Sequence, residues 1–345
     1  MNKRALLAGL CERSGATGLM LAWKRRTAPS LLSVLTFHRV ADVGPEYMFD
    51  DGVVETSPDE LARQLAQIRE HFTPVTMADV RSFVDGGHAL PHNPVLVTFD
   101  DGYLDNFAVA LPLLQRFGIA ATFFIATDYI THRRVFWWDR VAYTIKASPR
   151  AALSLAYPTE LALDLSSEKA KLAAIRAVLR VIKRTFGLEL DSFLDQLAAA
   201  AGVVWNAALE RRFADHLLMT WDHVRALRAG GMDVQSHTRT HRVLQTLPAE
   251  ALAGEIAGSR AELERELDHP VYAISYPVGH TINDRSELRD ALVAAGYRLG
   301  FTNATGAQSI RGKTIDRFNL SRMALDSHTP DSLFKAMLAL PRVFD

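Results

Sequence analysis

The chain has 345 residues, with 39 basic and 39 acidic side chains and no formal net charge. That balance argues against a nucleic-acid surface as its main business. Its single cysteine, Cys11, excludes an intramolecular disulfide and any cysteine-based metal site, and fits a reducing compartment.

The first residues, Met1-Asn2-Lys3-Arg4, are basic, and 5–10 are apolar, as at the start of a signal peptide. Glu12 and Arg13 interrupt that run, and a second apolar run over 15–23 ends in Lys24-Arg25-Arg26. No single apolar run with a clean small-residue cleavage site follows, and neither run reaches the ~18–20 residues of a spanning helix. Residues 1–26 read as one basic, weakly amphipathic helix, within an N-terminal element of 1–30. It either packs on the body of the protein or contacts a membrane surface peripherally. Without a clear cleavable signal, the expected location is cytoplasmic or peripheral to a membrane.

Residues 31–40 read as a strand ending in His38-Arg39. Ser57-Pro58-Asp59-Glu60 is a helix start, with a Ser cap, Pro at the first position and Glu three after the cap. Val95-Leu96-Val97-Thr98-Phe99 is β-branched or aromatic at nearly every position, the pattern of a buried strand, and runs into Asp100-Asp101-Gly102-Tyr103. A helix over 106–117, closed by Gly118, and a strand over 120–127 complete a βαβ unit.

Residues 132–219 break this rhythm. The aromatic cluster Phe136-Trp137-Trp138 precedes helical periodicity over 166–186, 188–201 and 206–218, with no buried strand. This predicts a helical insertion, either extra packing or a wall or lid over a site. The rhythm returns with a helix over 222–229, strands over 232–237, 271–277 and 298–302, helices over 248–267 and 286–295, a further strand over 318–323 and a last helix to about 340. The strands end in polar groups: His38, Asp100 and Asp101, Thr127, His237, His280 and Asn303. In a parallel α/β barrel such ends converge on one rim.

His237 and His241 are four apart, and on a helical turn that spacing puts both imidazoles on one side, able to share a metal. Two His and one Asp suit a borderline divalent ion such as zinc, with positions open for water.

Thr98-Phe99-Asp100-Asp101-Gly102-Tyr103, followed by Ser236-His237-Thr238-Arg239-Thr240-His241, resembles the polysaccharide deacetylase family with the NodB homology domain, carbohydrate esterase family 4. The resemblance covers roughly 31–130 and 220–330. It implies an α/β fold, a distorted (β/α) barrel of NodB type over 31–345 with the helical insertion at about 132–219. It also implies that Asp101, His237 and His241 bind a divalent metal, usually zinc, and that Asp100 is the catalytic base. Chemistry agrees: a metal polarises an acetyl carbonyl and acidifies water, and a neighbouring carboxylate takes the proton. Ser236 and Thr238 would support the ligand loop.

Two family motifs depart from the pattern. Many members have Arg-Pro-Pro-Tyr-Gly where this chain has Ser275-Tyr276-Pro277-Val278-Gly279, so the arginine that orients the base is missing. The backbone N–H of Val278 remains a candidate oxyanion donor. Members often carry a late Leu-His whose His is the general acid; no equivalent is evident here, and His328, His280 and His38 are the candidates. Tyr103, Tyr276, Trp137 and Trp138 are candidate flat faces for a sugar ring. The expected activity is metal-dependent removal of acetyl groups from N-acetylated or O-acetylated sugars of a polysaccharide or glycolipid intermediate, as in exopolysaccharide biosynthesis. The alternatives are a carbohydrate-binding relative, favoured by the missing arginine and acid, and a non-haem iron enzyme, disfavoured by the βα pattern.

Overall fold

In the computed structural model the described residues are 3–24, 26–27, 31–283, 285–304, 306–310, 315–325 and 329–344. Strands β1 (Leu31–Phe37), β2 (Pro94–Phe99), β3 (Ala121–Ile125), β4 (Asp233–Ser236), β5 (Ala273–Ser275) and β6 (Leu299–Phe301) lie in the order β6-β5-β4-β3-β2-β1. All are parallel to their neighbours. Both faces are covered, which is why these strands read as near-continuous apolar runs. Leu32, Val34, Leu96, Phe124 and Leu299 turn into an inner cluster. Leu35, Phe37, Val97, Phe99 and Phe123 face the larger cluster under the helices.

The last stretch curls this sheet into a distorted barrel. Leu320 bridges Phe301 of β6, and β7 (Met323–Ala324) pairs in parallel with Leu35 and Thr36 of β1, so one short segment spans the two edges. The strand expected over 318–323 is therefore shifted. Residues 317 and 318 turn because Asp316 accepts from the Phe318 N–H at 3.1 Å and the Asn319 amide at 2.7 Å, a local bonding choice that competes with strand pairing.

Two other expectations are corrected. The single N-terminal helix is two helices, α1 (Lys3–Arg13) and α2 (Ala16–Lys24), broken at Gly15 with φ +76°. Within 132–219, an antiparallel hairpin of Ala152–Leu155 and Leu161–Asp164 accompanies the helices Trp137–Lys146, Glu168–Arg184, Leu190–Ala201 and Ala207–Leu217. Its strands have four residues each, too few for alternation to stand out in sequence. Among the described residues no helix is long and apolar enough to cross a membrane.

Candidate active site

The site begins where β2 runs out. Leu96 belongs to the inner cluster, and alternation carries Thr98 and then Asp100 to the same side. The Asp100 N–H donates to the Phe37 carbonyl at 2.8 Å, which fixes the strand end. Its carboxylate is gripped by Arg322: Nη1 reaches Oδ1 and Nη2 reaches Oδ2, each at 2.8 Å. The Ser275 hydroxyl donates to Oδ2 at 3.1 Å. Both partners of the ion pair are buried, Arg322 wholly. Burial alone would raise the Asp100 carboxyl, but the Arg322 guanidinium, with His237 next, holds it below the usual carboxylate range.

The arginine expected to be missing is thus replaced from elsewhere. Ser275 stands at the motif position and touches the same carboxylate, while the guanidinium comes from the segment that closes the barrel. Arg322 lies over the Phe124 ring, 5.7 Å from its centroid, and its Nε donates to the Thr302 carbonyl at 3.3 Å. The only signal in the sequence was an arginine alone among Leu320, Met323 and Leu325.

Strict alternation would send Asp101 to the opposite face. It adopts φ +76° instead, and Gly102 follows at φ +110°, a turn that brings the second carboxylate back over the strand ends. Asp101 is buried, and neither of its oxygens has a hydrogen-bond partner. The Nε2 atoms of His237 and His241 each lie 3.4 Å from its Oδ1. His237 turns its Nδ1 to the Ser275 carbonyl at 2.9 Å, which leaves Nε2 as the free lone pair. Burial, and then the neighbouring His237, pushes the His241 imidazole down to about 3, so it is neutral and able to ligate.

One potential ligand atom from each of these three residues lies within 4.8 Å of the other two. A fully buried carboxylate with no hydrogen-bond donor, facing two imidazoles, is a costly arrangement for the protein alone. It fits a borderline divalent cation of the zinc type, whose charge would compensate the buried carboxylate.

The two histidines do not share a helical turn. Residues 237–243 are irregular, with Thr238 at φ +65° and His241 at φ +51°. Glu255 shapes this loop by accepting from the Arg239 and Thr240 N–H groups at 3.1 and 2.9 Å. Ser236 supports it by accepting from the Thr238 N–H at 3.1 Å. The imidazoles still meet, with ring centroids 4.6 Å apart.

A cavity of about 230 Å³ opens over these groups. Of the candidate acids, His38 lines it, His280 is exposed, and His328 lies outside the described residues. The His38 Nδ1 meets Glu55 Oε1 at 2.9 Å, and the His38 backbone N–H donates to Oε2 at 3.0 Å. Burial would push this imidazole down; the Glu55 carboxylate, by charge and hydrogen bond, with Asp101 and Asp100 beyond it, holds it up at about 10.

Trp137, Trp138 and Tyr276 form apolar wall. Tyr103, expected as a sugar contact, is buried like these three but does not line the cavity; its hydroxyl accepts from Trp138 Nε1 at 2.7 Å and donates to Asp139 at 2.8 Å. Val278 lines the cavity at φ +62°, an uncommon conformation for a β-branched residue. Gly279 beside it, at φ +73°, has no room for a side chain, since a Cβ would stand 2.4 Å from the Asn303 nitrogen. Sequence reasoning did not single out Asp50 and Lys183, which also reach the cavity. Burial pushes the Asp50 carboxyl up and the Lys183 amine down. A larger hollow of about 370 Å³, near Asp233 and Tyr272 at the opposite ends of the strands, holds no such cluster among the described residues.

Comparison with known proteins gives a consistent picture. The chain matches the profile of the family described as Polysaccharide deacetylase over residues 87–162 and 191–300, together more than half of its length. Within the expected insertion only 163–190 is left out, so 132–162 and 191–219, placed outside the shared core by the sequence, fall inside the match. YxkH of Bacillus subtilis (strain 168), named as a polysaccharide deacetylase, is 20% identical over 300 residues, covering 84% of this chain and 70% of that protein. The poly-β-1,6-N-acetyl-D-glucosamine N-deacetylase of Escherichia coli (strain K12) is 37% identical over 84 residues, 24% of this chain and 12% of that enzyme.

Among solved structures, the Streptococcus pyogenes deacetylase PplD superposes with a TM-score of 0.58 at 16% identity, covering 92% of this chain and 100% of the other. IcaB from Ammonifex degensii gives 0.54 at 19%, covering 90% and 97%. At these identities the likeness to the solved structures is one of fold.

Proposed function

The chain belongs to the polysaccharide deacetylase family, and from that premise we propose that it is a metal-dependent hydrolase of carbon–nitrogen bonds other than peptide bonds, removing acetyl groups from N-acetylated sugars of a polysaccharide or glycolipid intermediate. O-acetylated sugars are the related substrate class. The observation that carries this reading is the meeting of two arrangements in one cavity: a carboxylate kept ionised by a buried arginine, and a separate Asp-His-His ligand set.

Asp101, His237 and His241 would hold a divalent cation, proposed as zinc, which when bound polarises the acetyl carbonyl and acidifies water. Asp100 accepts the proton of the attacking water, with Arg322 and Ser275 fixing its orientation. The Val278 N–H is the proposed donor to the developing oxyanion. His38, held protonated by Glu55, returns a proton to the departing amine. Trp137, Trp138 and Tyr276 offer faces to the sugar, with Lys183 and Asp50 as polar contacts. The insertion then serves as a wall of the site. The proposed compartment is the cytoplasm or the periphery of a membrane. A purely binding relative was favoured by a missing arginine and a missing acid; the contact of Arg322 with Asp100 and the position of His38 on the cavity wall support the enzymatic reading instead.

The test is acetate release from N-acetylglucosamine oligomers and lipid-linked acetylated sugars, with divalent metal added or chelated. Release is expected to need metal, and His241→Ala is expected to lose both bound metal and release. A fully metal-loaded protein that releases no acetate from any of these sugars would overturn the reading.

The acid assignment has its own signature. His38 stays protonated through the neutral range and loses its proton as pH rises toward about 10. Glu55→Gln removes the main group that holds it up, so the alkaline limb of kcat/KM is expected to move to lower pH while the acidic limb stays in place. An unmoved alkaline limb would take His38 out of the mechanism.

A further inference from the structure

The N-terminal helices leave most of their large apolar side chains outside. α1 turns its small residues inward: Ala8 is fully buried against Leu333, Ala336 and Phe344, with Ala5 and Cys11 beside it. Its large apolar side chains face solvent, Leu6 at 47%, Leu7 at 45% and Leu10 at 50% exposure. In α2, Thr17 and Leu21 are buried, while Leu19 is 73% and Trp23 60% exposed. These are five of the eleven large apolar side chains exposed among the described residues. Burial of apolar surface favours the reverse arrangement, and large apolar side chains left exposed on two neighbouring helices mark an interaction surface.

The geometry groups them. At about 100° per residue, Leu6, Leu7 and Leu10 share one arc of α1, and Leu19 and Trp23 stand one turn apart on α2. Lys3 and Arg13 fall on the leucine side of α1, one at each end. The charge is equally one-sided. Residues 1–26 carry Lys3, Arg4, Arg13, Lys24, Arg25 and Arg26 against one acid, Glu12, in a chain of zero net charge. That acid is turned toward the body of the protein, 3.8 Å from Lys335 Nζ.

We propose that the outer face of α1 and α2 docks on an anionic lipid bilayer, with Leu6, Leu7, Leu10, Leu19 and Trp23 entering the headgroup boundary and the basic residues meeting lipid phosphates. A protein groove would accept the leucines, but the excess of basic residues around them matches a negatively charged surface. A Trp among the leucines suits the interface, where an amphipathic ring is favoured. Docking names the surface for a peripheral location and does not depend on the chemistry proposed for the cavity.

The test is co-sedimentation of the full chain with phosphatidylcholine vesicles, with and without phosphatidylglycerol. Binding is expected to be about tenfold or more tighter with the anionic lipid and to weaken with salt. A Leu6→Ser, Leu10→Ser, Leu19→Ser, Trp23→Ser variant is expected to lose binding while keeping the melting temperature of the parent. Should that variant fail to fold, Lys3→Glu with Arg13→Glu keeps the apolar face and is expected to lose the preference for anionic vesicles. Equal or absent binding to the two kinds of vesicle would overturn the proposal. So would a monomer–dimer equilibrium abolished by the serine substitutions without vesicle binding, which would assign the face to a second copy of the chain.

Discussion

Arg322→Met is expected to lower folding stability by about 3–5 kcal/mol, the usual consequence of removing one partner from a buried ion pair. Methionine approximates the length of the arginine stem and retains apolar contact near Phe124, so packing accounts for little of the loss. What remains is the Asp100 carboxylate, buried at 1% exposure, with the Ser275 hydroxyl and the His237 ring beside it in place of a guanidinium. Arg322→Lys is expected to recover part of the loss, because it restores the charge without the two-pronged grip. Urea unfolding of the three proteins measures this, and a cost below about 1 kcal/mol for Arg322→Met would show that the pair is not the anchor described.

Asp100→Asn is expected to reduce kcat by about 10²–10⁴-fold, the range typical for loss of a positioned base, with KM and bound metal little changed. The amide cannot take a proton from water, and one half of it presents N–H groups to a guanidinium that needs acceptors. The variant is therefore expected to be less stable as well as slow, which separates it from a variant that only loses a sugar contact. Acetate release and metal content measured on one preparation give the answer. A rate within tenfold of the parent would remove Asp100 from the role of base.

The two carboxylates and two histidines were legible because their signals are local: a buried strand running into Asp100 and Asp101, and a polar cluster after another strand. The shape of that cluster was misjudged. Spacing of four suggests a helical turn, whereas the chain reaches the same convergence through left-handed residues at Thr238 and His241. Arg322 was beyond reach for a different reason. It stands 222 positions from Asp100, and only the register of the closing segment against β1 and β6 brings the two together. His38 could be named but not ranked, since what distinguishes it from His280 is Glu55 across a loop and a place on the cavity wall. Tyr103 was a candidate as a flat aromatic face, but sequence does not show which way that face turns, and its hydroxyl serves Trp138 and Asp139.

The segment that shuts the barrel between β6 and β1 also carries Arg322. Every proposed cation ligand lies earlier in the chain, at Asp101, His237 and His241. A polypeptide emerging from the ribosome therefore presents its complete ligand set before it presents the counter-charge of Asp100. Closing the ring and delivering the guanidinium to Asp100 are one event, so separation of this last segment from β1 would strip Asp100 of its counter-charge while leaving Asp101, His237 and His241 in the part of the chain that precedes it.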